Sequence, residues 1–224
     1  MSFTLLGVSL FVALIDWIAV ATKLKRLEYF AKPGVMLVLL IWIWNLDGLS
    51  GPMVWFALGA MFSLAGDVFL MLPNENFRGG LLAFLLAHAA YIIGLNQVFP
   101  PVNLASLVLL IIISLTAVSL YRRIANALPT IEESQMRLPI LAYTLVISVM
   151  LLSALITMVR PDNHWTPYAS LLVSAGALLF FISDAVLAWN RFVTTLTNAR
   201  LKVIIPYHLG QIGILLGAAL HFMK

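Results

Sequence analysis

An all-α bundle of eight transmembrane helices is the fold class this sequence predicts, and three observations predict it. Hydrophobic residues fill 62% of the 224 positions and charged residues only 10%, against roughly 25% charged in soluble domains. The apolar residues come in runs near the ~20 residues that a bilayer core requires. Short connections punctuated by Pro or Gly separate the runs, and the basic residues collect in alternate connections. A single integral-membrane domain over 1–224 is expected, because connections this short hold no extramembrane domain.

The runs fall at 3–21, 34–47, 52–72, 80–98, 102–121, 138–159, 167–189 and 204–222. The first contains Asp16 and lacks a basic leader and a cleavage site, so it reads as a retained helix rather than a signal peptide. The second, 14 residues long, is short for a span and is expected to thin the bilayer or to extend through Asp47. Lys32-Pro33-Gly34 is expected to open it, since proline at a helix start lacks only an N–H that has no partner there. Gly51-Pro52, Pro73-Asn74, Pro100-Pro101, Pro129, Pro161 and Pro167 mark the other junctions. Trp42, Trp44 and Trp55 are expected in the outer aromatic belt.

Of 13 basic residues, 11 lie in the odd-numbered connections: Lys23, Lys25, Arg26, Lys32, Arg78, Arg122, Arg123, Arg137, Arg191, Arg200 and Lys202. Only Arg160 and Lys224 lie on the other side. The positive-inside rule then puts the odd connections in the cytoplasm and both termini outside. A net charge of +4 confined to short loops serves topology and is no nucleic-acid signature. Without cysteine there is no disulfide, thiolate nucleophile or zinc–thiolate site.

Two polar constellations interrupt the apolar runs. Gly66-Asp67-Val68-Phe69-Leu70 precedes a helix carrying His88 and Tyr91; Ser183-Asp184-Ala185-Val186-Leu187 precedes a helix carrying Tyr207, His208 and Gln211. The likeness suggests a parallel repeat of helices 1–4 as helices 5–8, which would bring the two carboxylates together. An ionisable group in hydrocarbon is costly and marks a functional site by default. Close buried carboxylates can divide one proton, one serving as neutral acid and the other as anion, which suits hydrolysis of an acetal-like bond. Packing glue between helices is the plainer reading.

His88, with Tyr91 one turn on, is read as orienting a carboxylate or relaying a proton. Tyr207, His208 and Gln211 are read as lining the same region, at the same cytoplasmic depth as Lys32. Lys32, Arg78 and Arg191 are candidates to hold an anionic lipid phosphate, and Asn76 and Asn190 to cap helices or line the mouth. Asp16 is as well explained by a structural or headgroup role as by catalysis. His164 and His221 receive no role. No HExxH or similar spacing occurs, so no metal and no cofactor are expected. Ser183 and Asp184 diverge by about 100° on a helix, so a Ser–His–Asp triad would need other helices.

Across nearly the whole chain these residues resemble the YhhN-like family, which includes the lysoplasmalogenases. The resemblance rests on Lys32-Pro33, Gly66-Asp67, Phe77 with Gly80, Phe84, His88-Ala89-Ala90-Tyr91, Phe180-Phe181-Ile182-Ser183-Asp184 and Tyr207-His208-Leu209-Gly210-Gln211. It implies an eight-helix membrane enzyme that cleaves the vinyl-ether bond of lysoplasmalogens. The products would be a fatty aldehyde and glycerophosphocholine or glycerophosphoethanolamine. It also implies that Asp67 and Asp184 match the family's two functional acidic positions. A multi-pass protein of a bacterial inner membrane is expected, with lysophospholipid and membrane lipids as partners and no nucleic acid. No oligomeric state follows. A proton-coupled transporter, a metal-dependent ceramidase-like hydrolase and a lipid-binding scaffold are the alternatives.

Overall fold

The computed structural model describes residues 3–46, 49–72, 76–128, 135–162 and 164–223. Asp47, Pro73, Asn74, Pro129 and Lys224 lie outside the described residues. Within them the chain forms eight helices, each long and apolar enough to cross a membrane. They are α1 (Thr4–Ala21), α2 (Lys25–Asn45), α3 (Met53–Met71), α4 (Phe77–Leu95), α5 (Leu104–Asn126), α6 (Arg137–Val159), α7 (Pro167–Phe192) and α8 (Ala199–Phe222). The protein is an integral, multi-pass membrane protein with no strand among the described residues.

Hydropathy placed every span, and charge misled at two helix starts. The second helix does not open at Lys32-Pro33. It begins at Lys25 and runs through Pro33, which is inside the helix. The supposed short span is therefore 21 residues, lengthened at its charged end. The reason is the facing of the first turns. Lys25, Glu28, Tyr29 and Lys32 form one i, i+3, i+4, i+7 stripe and line an open-sided cavity. Leu27 and Phe30 point outward, 40% and 79% exposed. Charges turned into a polar cavity do not end a membrane helix. The last helix likewise starts at Ala199 instead of 204 and carries Pro206 inside it. His208 therefore sits more than two turns from the helix start. Trp42 is 1% exposed and belongs to the core, not to an aromatic belt; Trp44, 70% exposed, faces outward.

Other junctions have local causes. Pro167 occupies the first turn of α7. Asn103 caps α5 in a reciprocal box with Ser106 and also donates from Nδ2 to the Val159 carbonyl at 2.7 Å, tying α5 to the end of α6. Asn76 caps α4 by accepting from the Gly79 amide at 2.9 Å. Arg160, assigned to the outer side, is clasped by both carboxylate oxygens of Asp162 at 2.6 Å.

Two intimate helix pairs organise the bundle, α3 with α4 and α7 with α8. Lipid tails are as apolar as leucine, so close van der Waals contact rather than the hydrophobic effect holds such helices together. On α8, Gly210, Gly213 and Gly217 form a flat stripe against α7. A Cβ at Gly210 would lie 2.9 Å from the Gly176 carbonyl oxygen, and one at Gly217 2.7 Å from the Ala169 carbonyl oxygen. Between α3 and α4 the glycines meet rings instead: Gly66 receives Phe84 and Gly94 receives Phe56. Helix α8 also touches α1, α2 and α3, so it spans the bundle centre, whereas α5 lies at the margin.

Candidate active site

A cavity of about 510 Å³ opens between α2, α3, α7 and α8, with Val20 of α1 and Phe84 of α4 completing the wall. Asp67 and Asp184 both line it. Helix geometry explains how. Asp67 lies on α3 one turn before Leu70 and Met71, and Asp184 lies on α7 one turn before Leu187, all wall residues. The close approach of α3 to α4 and of α7 to α8 fixes both carboxylates to rigid elements.

Each carboxylate has its own set of partners. Asp67 is 1% exposed and accepts from Tyr207 Oη at 2.6 Å, while Lys32 Nζ lies 3.1 Å from Oδ1. A buried charge needs a partner of this kind, because desolvation is otherwise uncompensated. Lys32 itself keeps 16% of its side chain accessible, the ammonium reaching inward from the stripe of α2. Asp184 is slightly more open at 10%. Its Oδ2 accepts a hydrogen bond from Tyr143 Oη of α6, and His88 Nε2 lies 3.2 Å from the same oxygen. His88 Nε2 is also 3.1 Å from Tyr143 Oη. The buried Nδ1 of His88 has no partner among the described residues. The proton therefore belongs on Nε2, since a buried N–H without an acceptor would be the costlier choice. Both donors go to Oδ2, which leaves Oδ1 as the oxygen that can meet a substrate.

A second, apolar groove meets the cavity at Asp184. Leu81, Ile124, Ile140, Ile147 and Phe181 line it, and it shares Leu70, Phe84, Asp184 and Leu187 with the polar cavity. One carboxylate thus stands where a polar chamber joins an oily one.

Five of the nine site residues expected from sequence face the cavity: Lys32, Asp67, Asp184, Asn190 and Tyr207. Asn190 also accepts from the Leu196 amide at 2.8 Å, closing the turn after α7. His88 lies behind Asp184. Tyr91, Gln211 and His208 stand apart from the wall. Tyr91 Oη donates to Gln211 Oε1 at 2.6 Å, and Gln211 Nε2 donates to Ser63 Oγ at 2.8 Å. This fully buried chain joins α3, α4 and α8. Trp17 Nε1 donates to His208 Nδ1 at 3.2 Å. Asp16 is buried, with both oxygens lacking a hydrogen-bond partner among the described residues. Arg191 stacks 4.0 Å over the Phe77 ring, and neither it nor Arg78 lines the cavity. Ser183 donates to the Val203 carbonyl at 2.9 Å rather than to a histidine.

Tyr143, Glu28 and Arg200 were not singled out from the sequence as site residues. Tyr143 sits in an ordinary apolar run, and only tertiary packing of α6 on α4 and α7 reveals it. Glu28 and Arg200 had a signal, namely their i, i+4 spacing to Lys32 and Ile204 if the helices are extended. Among the described residues no three His, Asp or Glu side chains are grouped as a metal ion would need.

Known proteins resemble this chain over most of its length. Lysoplasmalogenase TMEM86B of Rattus norvegicus is 32% identical over 206 residues, covering 91% of this chain and 74% of that protein. The Mus musculus protein of the same name is 33% identical over 186 residues, 82% of this chain and 71% of its own. The Homo sapiens protein is 30% identical, covering 86% and 77%. No solved structure matches. The YhhN family model matches residues 27–218, which span α2 to α8 and include both carboxylates, and the chain therefore belongs to the YhhN family.

Proposed function

We propose that this protein is a lysoplasmalogenase that hydrolyses the vinyl-ether bond of alkenyl-glycerophospholipids with Asp67 and Asp184. The observation that carries the reading is the placement of two differently partnered carboxylates on one cavity, one of them at the junction with an apolar groove. The groove suits the alkenyl chain and the cavity suits the glycerophosphate end. The vinyl ether then lies at Asp184. The relatives' name supports the same substrate class.

The partners suggest the division of labour. Asp67 faces a fixed ammonium and serves as the anion. Asp184 touches no lysine or arginine and serves as the proton donor. Its proton adds to the β-carbon of the vinyl ether, and the ether oxygen shares the resulting positive charge as an oxocarbenium ion. Asp67 stabilises that cation and takes a proton from the attacking water, whose oxygen bonds to the α-carbon. In the hemiacetal, the ether oxygen receives the proton held by Asp67, and the hydroxyl proton passes to Asp184. The C–O bond breaks to release aldehyde and glycerol hydroxyl, and both carboxyls return to their starting states. No cofactor enters the sequence. The basic residues of the cavity wall, Lys25, Lys32 and Arg200, support a mouth on the cytoplasmic side. Short connections suit a bacterial inner membrane.

The test is aldehyde release by purified protein given an alkenyl lysolipid, its alkyl-ether analogue and its acyl analogue, with and without chelator. Aldehyde from the alkenyl lipid alone, indifferent to chelator, is the expected result. Fatty acid from the acyl lipid, lost with chelator, would replace this reading with a metal-dependent lipid hydrolase.

Tyr143 and His88 position Asp184 through the other oxygen. Tyr143→Phe is expected to lower kcat about tenfold, the worth of one hydrogen bond to a charged group, with KM unchanged. The pH dependence of kcat should shift as well. A purely structural tyrosine would lower the melting temperature and leave the pH profile in place.

A further inference from the structure

We propose that the Glu28–Arg200 ion pair on the cavity wall is the receptor for a zwitterionic phospho-ammonium headgroup, which binds by exchanging partners with it. This rests on the proposed function for the rest of the lipid. The pair joins α2 to α8 across 172 residues of sequence. Its two members differ sharply in access: Arg200 is 55% exposed and Glu28 only 10% at the side chain. Lys25, one turn before Glu28 on the same stripe, lines the cavity and pairs with no carboxylate among the described residues.

The wall therefore holds three cations, Lys25, Lys32 and Arg200, and three carboxylates, Glu28, Asp67 and Asp184. Lys32 is committed to Asp67 at the reacting end. Asp184, the proton donor, stands at the junction with the groove, and what remains is one anion, Glu28, with two cations, Lys25 and Arg200, the complement of a phosphate joined to an ammonium. When such a headgroup arrives, its phosphate takes Arg200 and Lys25, and its ammonium takes the carboxylate that Arg200 gives up. Glu28, the buried member, has a cation beside it at every stage. This matters because an ion buried without a partner loses several kcal/mol, whereas exchange of one pair for two keeps every charge compensated. Guanidinium offers a planar fork to phosphate oxygens. Tyr29, on the same stripe, adds a ring face beside the ammonium. The exposed member is the one that moves, and the buried member is the one that stays.

The experiment uses the full chain in detergent and tritiated alkyl-ether ligands that contain no vinyl-ether bond, read by scintillation proximity. One ligand is 1-alkyl-glycerophosphoethanolamine; the other, 1-alkyl-glycerol 3-phosphate, lacks the ammonium. Glu28→Gln is expected to weaken the ethanolamine ligand about tenfold, one charge-assisted hydrogen bond, and to leave the phosphate ligand within about twofold. Arg200→Gln should weaken both. The swapped variant E28R/R200E keeps an ion pair and so guards against loss of folding; it should bind both ligands poorly while melting near wild type. Equal weakening of both ligands by Glu28→Gln, or wild-type binding by the swapped variant, overturns the proposal and leaves the pair a structural latch. Chain-free glycerophosphoethanolamine should compete at least about tenfold less well, since it buries no methylenes; equal potency would reassign the site to a soluble ligand. Binding as expected without aldehyde release from a vinyl ether would sink the proposed reaction and spare the headgroup site. Aldehyde release with unaltered binding in the variants would do the reverse.

Discussion

Asp184→Asn is expected to abolish aldehyde release, with kcat reduced at least about 10³-fold, within the range that a positioned acid contributes. The amide is nearly isosteric and can still accept from Tyr143 and His88, so the network behind it survives. It cannot donate a carboxyl proton to carbon. Folding should be preserved, and the melting temperature should stay within a few degrees of wild type. Asp67→Asn should be comparably inactive for a different reason. It removes the anion opposite the oxocarbenium and leaves Lys32 without its carboxylate. A buried ammonium without its partner is costly, so this variant should also melt lower. Replacing Lys32 by Met alongside Asp67→Asn should restore the melting temperature and leave activity absent. An Asp184→Asn protein that retains a tenth of wild-type turnover would remove Asp184 from the chemistry.

The largest effect on stability is expected at Gly176. A Cβ there would stand 2.5 Å from the Ile214 amide nitrogen and 2.7 Å from the Gly210 carbonyl oxygen. Both atoms are backbone, so no rotamer change relieves the clash; α7 and α8 must separate. Overpacking a close interface costs on the order of 3 kcal/mol, and Val at this position extends the clash beyond the first carbon. Gly176→Val should yield little monodisperse protein after extraction. Gly176→Ala should give a folded but less stable species, measured by its thermal transition. Because α7 carries Asp184 and α8 carries Tyr207 and Arg200, the alanine variant should also raise KM. Gly7 is the control: nothing lies within 4 Å of a Cβ there, and Gly7→Ala should be neutral. Equal stability of the Gly176 and Gly7 alanine variants would mean that α7 and α8 do not meet backbone to backbone at Gly176.

Much of the fold was legible because transfer free energy is a local property. Each run of apolar residues states its own preference for hydrocarbon, whatever packs beside it. The same logic made Asp67 and Asp184 conspicuous, since a carboxylate in such a run has no cheap local explanation. The errors fell where local reading assumes that charge means water. Residues 25–32 look like a loop, yet they are two turns of α2 whose charged stripe faces a cavity and whose Leu27 and Phe30 face outward. At the start of α8, Arg200 likewise lies within the helix and lines the cavity.

By itself, then, the sequence determined the eight spans, the two intramembrane carboxylates and the family to which they belong. Only the tertiary structure decided which polar groups share a cavity. It placed Lys32 on Asp67 and Tyr143 and His88 on Asp184, and it set Tyr91 and Gln211 in a separate buried chain with Ser63. Hydropathy sums over a segment and carries no information about azimuth. The direction in which each helix turns its polar stripe is set by its contacts with helices distant in sequence. Here those contacts are the glycine-lined meeting of α7 with α8 and the ring-filled meeting of α3 with α4.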